Sequence, residues 1–134
     1  MPALPDEVRS LLEGANFAHL ATLLPDGAPH SVPVWIGTRG DHVVFFTQAG
    51  SRKARNLRAD PRVAISLVNR ENPYATGWLR GRVVKTIGGD EALAIIDGLA
   101  LKYTGKPFPM RSGTVFVIEA ERAGSMTLPF SPAP

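Results

Sequence analysis

Alternating apolar and polar positions run through most of this chain, and three shorter stretches carry apolar residues at helical spacing instead. Val8, Leu11 and Leu12 share one face of a helix expected over Asp6–Glu13, which Gly14 stops. Phe17–Leu24 reads as a strand closed by Pro25-Asp26-Gly27, a turn with suitable chemistry at each position. In a second strand Val32, Val34 and Ile36 alternate with Ser31, Pro33 and Trp35. Pro33 has no N–H to give a ladder, so one side of that strand lies at an edge or a bulge. Thr38-Arg39-Gly40-Asp41 turns the chain into a third strand, His42–Thr47, and the three strands are expected to form a meander.

A short helix over Ser51–Arg58 follows, ended by Asp60-Pro61. Val63, Ile65 and Leu67 mark a fourth strand, and Tyr74–Ile87 a long fifth one in which Gly77 and Gly81 allow a bend. Gly88-Gly89-Asp90 supplies a loop and an N-cap for a helix carrying Leu93, Ile96, Leu99, Ala100 and Tyr103 and ending at Thr104-Gly105. Thr114–Glu121 is the sixth strand, and residues 124–134 read as an extended tail. Six strands with three modest helices make a mainly β fold with minor α. The early connections are too short for crossover helices, so a small closed barrel is expected rather than a parallel sheet. No repeat or linker divides the chain, and residues 1–134 are read as one domain.

Composition narrows the chemistry. Apolar residues make up 44% and charged residues 20% of the chain, as in folded globular proteins. Cysteine is absent, which removes a disulfide scaffold, a thiolate metal site and a cysteine nucleophile together and makes a cytoplasmic protein the expectation. The net charge of +3 is unevenly spread. Residues 39–85 hold ten Lys or Arg against Asp41, Asp60 and Glu71, an excess of seven, while both flanks are net negative. A localised basic region points to an anionic partner.

Most of that charge lies in Thr47-Gln48-Ala49-Gly50-Ser51-Arg52-Lys53-Ala54-Arg55-Asn56-Leu57-Arg58. A strand ends at Thr47, Gly50 permits a tight turn, Ser51 suits an N-cap, and the first helical turn then carries Arg52 and Lys53, with Arg55 following. A helix start already holds about half a positive charge, and acids there are worth roughly 0.3–1 kcal/mol each. Cations in that place make sense when an anion is bound by free backbone N–H groups, the Thr47 and Ser51 hydroxyls and the basic heads. The bland alternative is a solvated basic helix. The spacing matches neither a P-loop nor a Gly-x-Gly-x-x-Gly turn. His19, His30 and His42 are too dispersed to suggest a metal site, and no serine or paired carboxylates stand in a catalytic pattern. Trp35 and Trp78 either cap the core or line a flat slot where a planar ring stacks. In a regular strand Arg80 and Arg82 share the Trp78 face, as a solvated surface or a second anion contact.

Several segments together then point to a family: Asn16-Phe17-Ala18-His19-Leu20-Ala21-Thr22-Leu23, the Pro25-Asp26-Gly27 turn, Val32-Pro33-Val34-Trp35, and Gly50-Ser51-Arg52-Lys53-Ala54-Arg55-Asn56-Leu57. Asp60-Pro61-Arg62-Val63, Arg80-Gly81-Arg82-Val83 and Tyr103-Thr104-Gly105 continue the match. The chain resembles the pyridoxamine 5′-phosphate oxidase-like FMN-binding split β-barrels. Within them it is most similar to the branch using the deazaflavin coenzyme F420, the flavin/deazaflavin oxidoreductase B group.

The resemblance implies a split β-barrel homodimer with a cofactor site in each groove between the chains. The cofactor phosphate would be held by the positions matching Thr47, Gly50, Ser51, Arg52, Lys53 and Asn56, with Arg55 beside them. The ring would lie along Val32, Pro33, Val34 and Trp35, and Trp78 would contribute from the fifth strand, across the dimer or within one chain. Many relatives carry Arg where this chain has Ser51, while Lys53 keeps its place; the Gly-Ser-x-Lys-Ala form is closer to biliverdin-reducing members. The expected function is an oxidoreductase passing a hydride from reduced coenzyme F420 to an unsaturated small molecule. No catalytic side chain and no metal are required, because the cofactor carries the hydride and the protein orients it. The readings left open are the same fold with FMN, a non-catalytic cofactor carrier, and a nucleic-acid-binding small barrel.

Overall fold

The computed structural model describes residues 4–134. The elements in chain order are α1 (Asp6–Glu13), β1 (Ala18–Leu23), β2 (Pro29–Val34), β3 (Gly37–Arg39), β4 (His42–Thr47), α2 (Arg52–Ala59), β5 (Arg62–Val68), β6 (Ala75–Ile87), α3 (Gly89–Thr104) and β7 (Thr114–Thr127). Seven strands form one antiparallel sheet in the order β2-β1-β5-β6-β7-β4-β3. The sheet therefore has one strand more than the sequence pattern indicated. Its ladder is not continuous, because β2 and β3 are its two edges. The mainly β class and the antiparallel arrangement stand, and Pro33 lies on edge strand β2, where its missing N–H costs no ladder bond.

The β1–β2 hairpin follows the local chemistry. Gly27 takes φ +86° at the turn, and Asp26 Oδ1 accepts from the Ala28 N–H at 3.0 Å. The expected meander does not continue from there. Thr38 and Arg39, the first half of the segment read as a turn, belong with Gly37 to the short strand β3 (Gly37–Arg39), which hairpins onto β4 through Gly40 at φ +63°. β4 then sits at the far side of the sheet, between β3 and β7, rather than beside β2. Its burial accounts for this. Val43 and Phe45 belong to the main core while Val44 packs with Ile87, Ile96 and Val115 in a second cluster, so β4 is covered on both faces. An edge beside β2 would leave one of those faces in water.

Two further departures occur along β6 and β7. The segment 124–127, read as part of the tail, continues β7 and pairs with β6, with Ala75 opposite Thr127 and Trp78 opposite Gly124. Without it the first residues of β6 would lose a ladder partner. The bend allowed by Gly81 is a register shift between Arg80 and Gly81, where any Cβ would lie 2.0 Å from the Glu119 carbonyl oxygen. At α3 the N-cap is Gly88, two residues ahead of Asp90, which lies inside the first turn.

The main core joins α1 to the inner faces of the strands through Val8, Leu12, Leu20, Ile65, Leu79 and Phe116. The last turn of α3 is stapled to this body. Lys102 Nζ donates to the Leu12 carbonyl at 2.9 Å and to the Ile36 carbonyl, and burial lowers this ammonium from 10.5 to about 8. No helix among the described residues is long and apolar enough to cross a membrane.

Candidate cofactor site

The N-terminus of α2 is built by side chains that occupy one another. Ser51 is the N-cap, its Oγ accepting from the Ala54 N–H at 3.1 Å, and Thr47 Oγ1 donates to that same oxygen at 2.9 Å. The next two backbone N–H groups, of Arg52 and Lys53, have no protein acceptor among the described residues. The first turn contains no acid. Arg52, Lys53, Arg55 and Arg58 have no carboxylate within ion-pairing distance among the described residues, whereas Arg9, Arg39, Arg62, Arg82 and Arg111 each do. Arg52 and Lys53 are half-buried and Arg55 is exposed.

Asn56 holds this end in place. It is 2% exposed, donates from Nδ2 to Thr22 Oγ1 on β1 at 3.0 Å, and accepts from Arg52 Nη1 at 3.4 Å. Both ends of its amide are thus engaged, and its role in this structure is to tie α2 to the sheet and to aim Arg52. At Gly50 an added Cβ would meet nothing within 4 Å, so the glycine leaves open space over the loop rather than relieving a clash inside the fold.

Lys53 also borders a groove of about 710 Å³. The groove draws on both sides of the open sheet: Pro33, Val34 and Trp35 from β2 and its exit, Phe46 from β4, Phe17 and His19 from the start of β1, and Phe108 from the loop after α3. Its walls are mainly aromatic. The Trp35 ring lies parallel to Tyr103 at 5.4 Å between centroids and meets Phe46 and Phe108 edge-on, both at 6.1 Å. Tyr103 is itself fixed, donating to the Asn16 carbonyl at 2.6 Å and accepting from the Ile36 N–H at 3.1 Å, and burial pushes its hydroxyl above the usual range.

Among the residues expected at the site, the fold gathers Pro33, Val34, Trp35 and Lys53 around one groove, and Thr47, Ser51, Arg52 and Asn56 into one network beside it. Val32 packs against the core instead. Trp78 stands apart from this groove: it borders a separate one with Ser31, Ser66 and Arg80, and only His19 belongs to both. The Trp78 ring lies close to Gly124, where a Cβ would be 2.9 Å from its Nε1, and the Arg80 guanidinium sits 5.3 Å from the ring centre. Phe17, His19, Phe46 and Phe108 escaped the sequence reading as wall residues, as did Tyr103 as the ring stacked on Trp35. They are scattered over the start of β1, β4, α3 and the loop after it, and the one local hint was the pair of prolines around Phe108.

The family model described as pyridoxamine 5′-phosphate oxidase matches residues 4–125. Among solved structures, an F420 reductase superposes with a TM-score of 0.79 at 30% identity, over 90% of this chain and 98% of that one. A conserved hypothetical protein from Mycobacterium tuberculosis also gives 0.79, at 25% identity over 98% and 93% of the two chains. The HupZ protein of Group A Streptococcus gives 0.69 at 16% identity, over 98% and 99%, a likeness of fold alone. A search of curated proteins gave no match.

Proposed function

The chain belongs to the pyridoxamine 5′-phosphate oxidase family, and we propose that within it this protein is a reductase dependent on coenzyme F420 that passes a hydride to an unsaturated small molecule. The observation that carries this reading is the position of Lys53, which belongs at once to a helix start crowded with unpaired cations and to a groove walled by aromatic rings. That combination fits a flat ring system joined to a phosphate. The donor set suits the phosphate: two free backbone N–H groups, the basic heads of Arg52 and Lys53, and open space over Gly50. The aromatic walls suit the ring.

When bound, the reduced deazaflavin supplies the hydride. The chain's own residues do the rest. Arg52 and Lys53 neutralise the phosphate and fix the register of the cofactor along the groove. Pro33, Val34 and Trp35 give the ring a bed on an edge strand. Trp35 cannot swing, because Tyr103 stacks on it and is hydrogen-bonded on both sides. Phe46 and Phe108 exclude water from the face where the acceptor sits, and proximity then supplies the rate. A conjugated acceptor of the biliverdin kind suits such a slot.

The same reading makes the protein a homodimer. Pro33, His19, Ser66 and Trp78 form one exposed rung across β2, β1, β5 and β6, and Phe17 and Val68 continue the apolar surface beside it. A second copy packed there would close the groove and bring its own Trp78 toward it. FMN is the second reading, and the phosphate contacts would be the same for both.

Stopped-flow mixing separates these readings. Reduced coenzyme F420 bound to the protein should be oxidised on adding a quinone, while FMN supports little turnover. Faster turnover with FMN would reverse the assignment. Tight binding of either cofactor without turnover would make the protein a carrier.

A further inference from the structure

The loop between α3 and β7 has a construction that the fold alone does not require. It runs Lys106-Pro107-Phe108-Pro109-Met110-Arg111-Ser112-Gly113. Two prolines bracket Phe108 and restrict its backbone from both sides. The Phe108 N–H donates to Asp97 Oδ1 at 3.1 Å. Arg111 reaches back to the same carboxylate with a two-pronged contact, Nη1 to Oδ1 at 2.9 Å and Nη2 to Oδ2 at 3.1 Å, and Nη1 also donates to the Phe108 carbonyl at 2.9 Å. Both backbone polar groups of Phe108 are therefore held by one ion pair.

The far end of the loop is anchored separately. Gln48 donates to the Ser112 carbonyl at 2.9 Å, and the Ser112 hydroxyl donates to Gln48 Oε1 at 3.1 Å. Gln48 lies between Thr47 and the N-cap Ser51, so the loop is fastened to the segment that leads into α2. A side chain at Gly113 would put its Cβ 2.8 Å from Ile96 Cδ1, so the glycine lets the loop leave close against α3.

All of this fixes one ring. Phe108 meets Phe46 at 5.0 Å and Trp35 at 6.1 Å, both edge-on, and forms a wall of the groove. We propose that Phe108 is the specificity-determining residue of the groove, setting the width of planar acceptor that it admits, and that Asp97 and Arg111 are positioning residues that hold it at that width. The inference rests on the groove being the ring site proposed above. It goes further in assigning the discrimination between acceptors to a loop that contributes no charged group to the groove.

The test compares two quinones of different width, the two-ring menadione and the three-ring phenanthrenequinone. Their affinities are measured by quenching of Trp35 fluorescence in the full chain carrying Trp78→Phe, without cofactor. Phe108→Ala is expected to shift the affinity ratio toward the wider quinone by about tenfold. Arg111→Gln is expected to shift it the same way by about two- to threefold, with Arg111→Lys recovering part of the change. Near-UV circular dichroism shows whether each variant is folded, and Arg111→Gln keeps the question open to test should Phe108→Ala not fold. An unchanged ratio in either folded variant would overturn the proposal. Titration of the wild type with coenzyme F420 and FMN separates the two layers. A protein that binds neither, yet shows the shifted ratio, loses the redox reading and keeps Phe108 as the wall. A protein that binds a cofactor with an unshifted ratio keeps the redox reading and loses the wall.

Discussion

The starts of α2 and α3 face the same physical problem and resolve it in opposite ways. Both present unpaired backbone N–H groups and a partial positive charge. At α3 the first turn carries Asp90 and Glu91, and Glu91 is paired with Arg39 at 2.6 Å, which holds its carboxyl below the ordinary range. α1 follows the same rule with Asp6 and Glu7. α2 places Arg52 and Lys53 where the other two place acids, and gives them no carboxylate. Two helices are thus arranged for their own stability, and the third is not; on the reading proposed above, its cations meet an anion from outside the chain. An electrostatically poor helix start beside an aromatic groove is what the proposed cofactor site accounts for, since folding alone would favour its opposite.

Charge reversal at α2 should break the contrast most strongly. Lys53→Glu makes this start resemble that of α3. It is expected to raise the dissociation constant for coenzyme F420 about 100-fold, through loss of a charge-assisted contact and added repulsion. The cofactor-free protein should gain about 0.3–1 kcal/mol of stability at low salt, because an acid now faces the dipole. Isothermal titration and chemical denaturation on the same preparation measure both. Loss of binding without any gain in stability would show that the cations do not strain the helix start.

Asn56→Ala removes the tie beneath the site. It leaves Thr22 buried with one partner fewer and frees Arg52, at an expected cost of about 1–3 kcal/mol in urea denaturation. Cofactor affinity should fall by less than for Lys53→Glu, since Asn56 acts through Arg52. At α3, Asp90→Lys imposes the α2 pattern where no ligand compensates it. Stability should fall by about 0.3–1 kcal/mol with cofactor binding unchanged.

The smallest effect lies at the other end of α2. Asp60, the C-cap residue, contacts Arg62 at 2.7 Å, and that hydrogen bond lowers its carboxyl from 3.8 to about 2. The native pKa lies below the unfolded one, so this contact adds its full stability above pH 3.8 and loses it as the pH falls toward 2. Asp60→Asn should narrow its stability difference from the wild type over that window. A difference that stays constant from pH 5 to pH 2 would contradict the assignment.

What could be read from the sequence was whatever local chemistry determines. Alternation placed β5 and β6 to within a residue or two because that period reports burial directly, while helical spacing placed α1 and the turn before it placed β4, both to the residue. The anomaly at α2 was visible because a cation after an N-cap serine is a local signal. Pairing beyond the β1–β2 hairpin was not visible. β4 looked like the next strand of a meander, and only its burial on two faces sends it across the sheet. Gly124 looked like the start of a tail, yet it lies in β7 beneath the Trp78 ring. The groove walls were hidden for the same reason. Phe17, Phe46 and Phe108 lie in separate elements, and their meeting depends on how the two sides of the sheet come together.

The central claim is that an anionic cofactor completes the start of α2. It is tested most directly by following the backbone amides of the isotope-labelled protein by NMR while coenzyme F420 is added. The account predicts that the Arg52 and Lys53 amides, which have no acceptor among the described residues, undergo the largest shifts, and that Lys53→Glu abolishes them at the same cofactor concentration. Binding that moves amides elsewhere and leaves those two unchanged would contradict it.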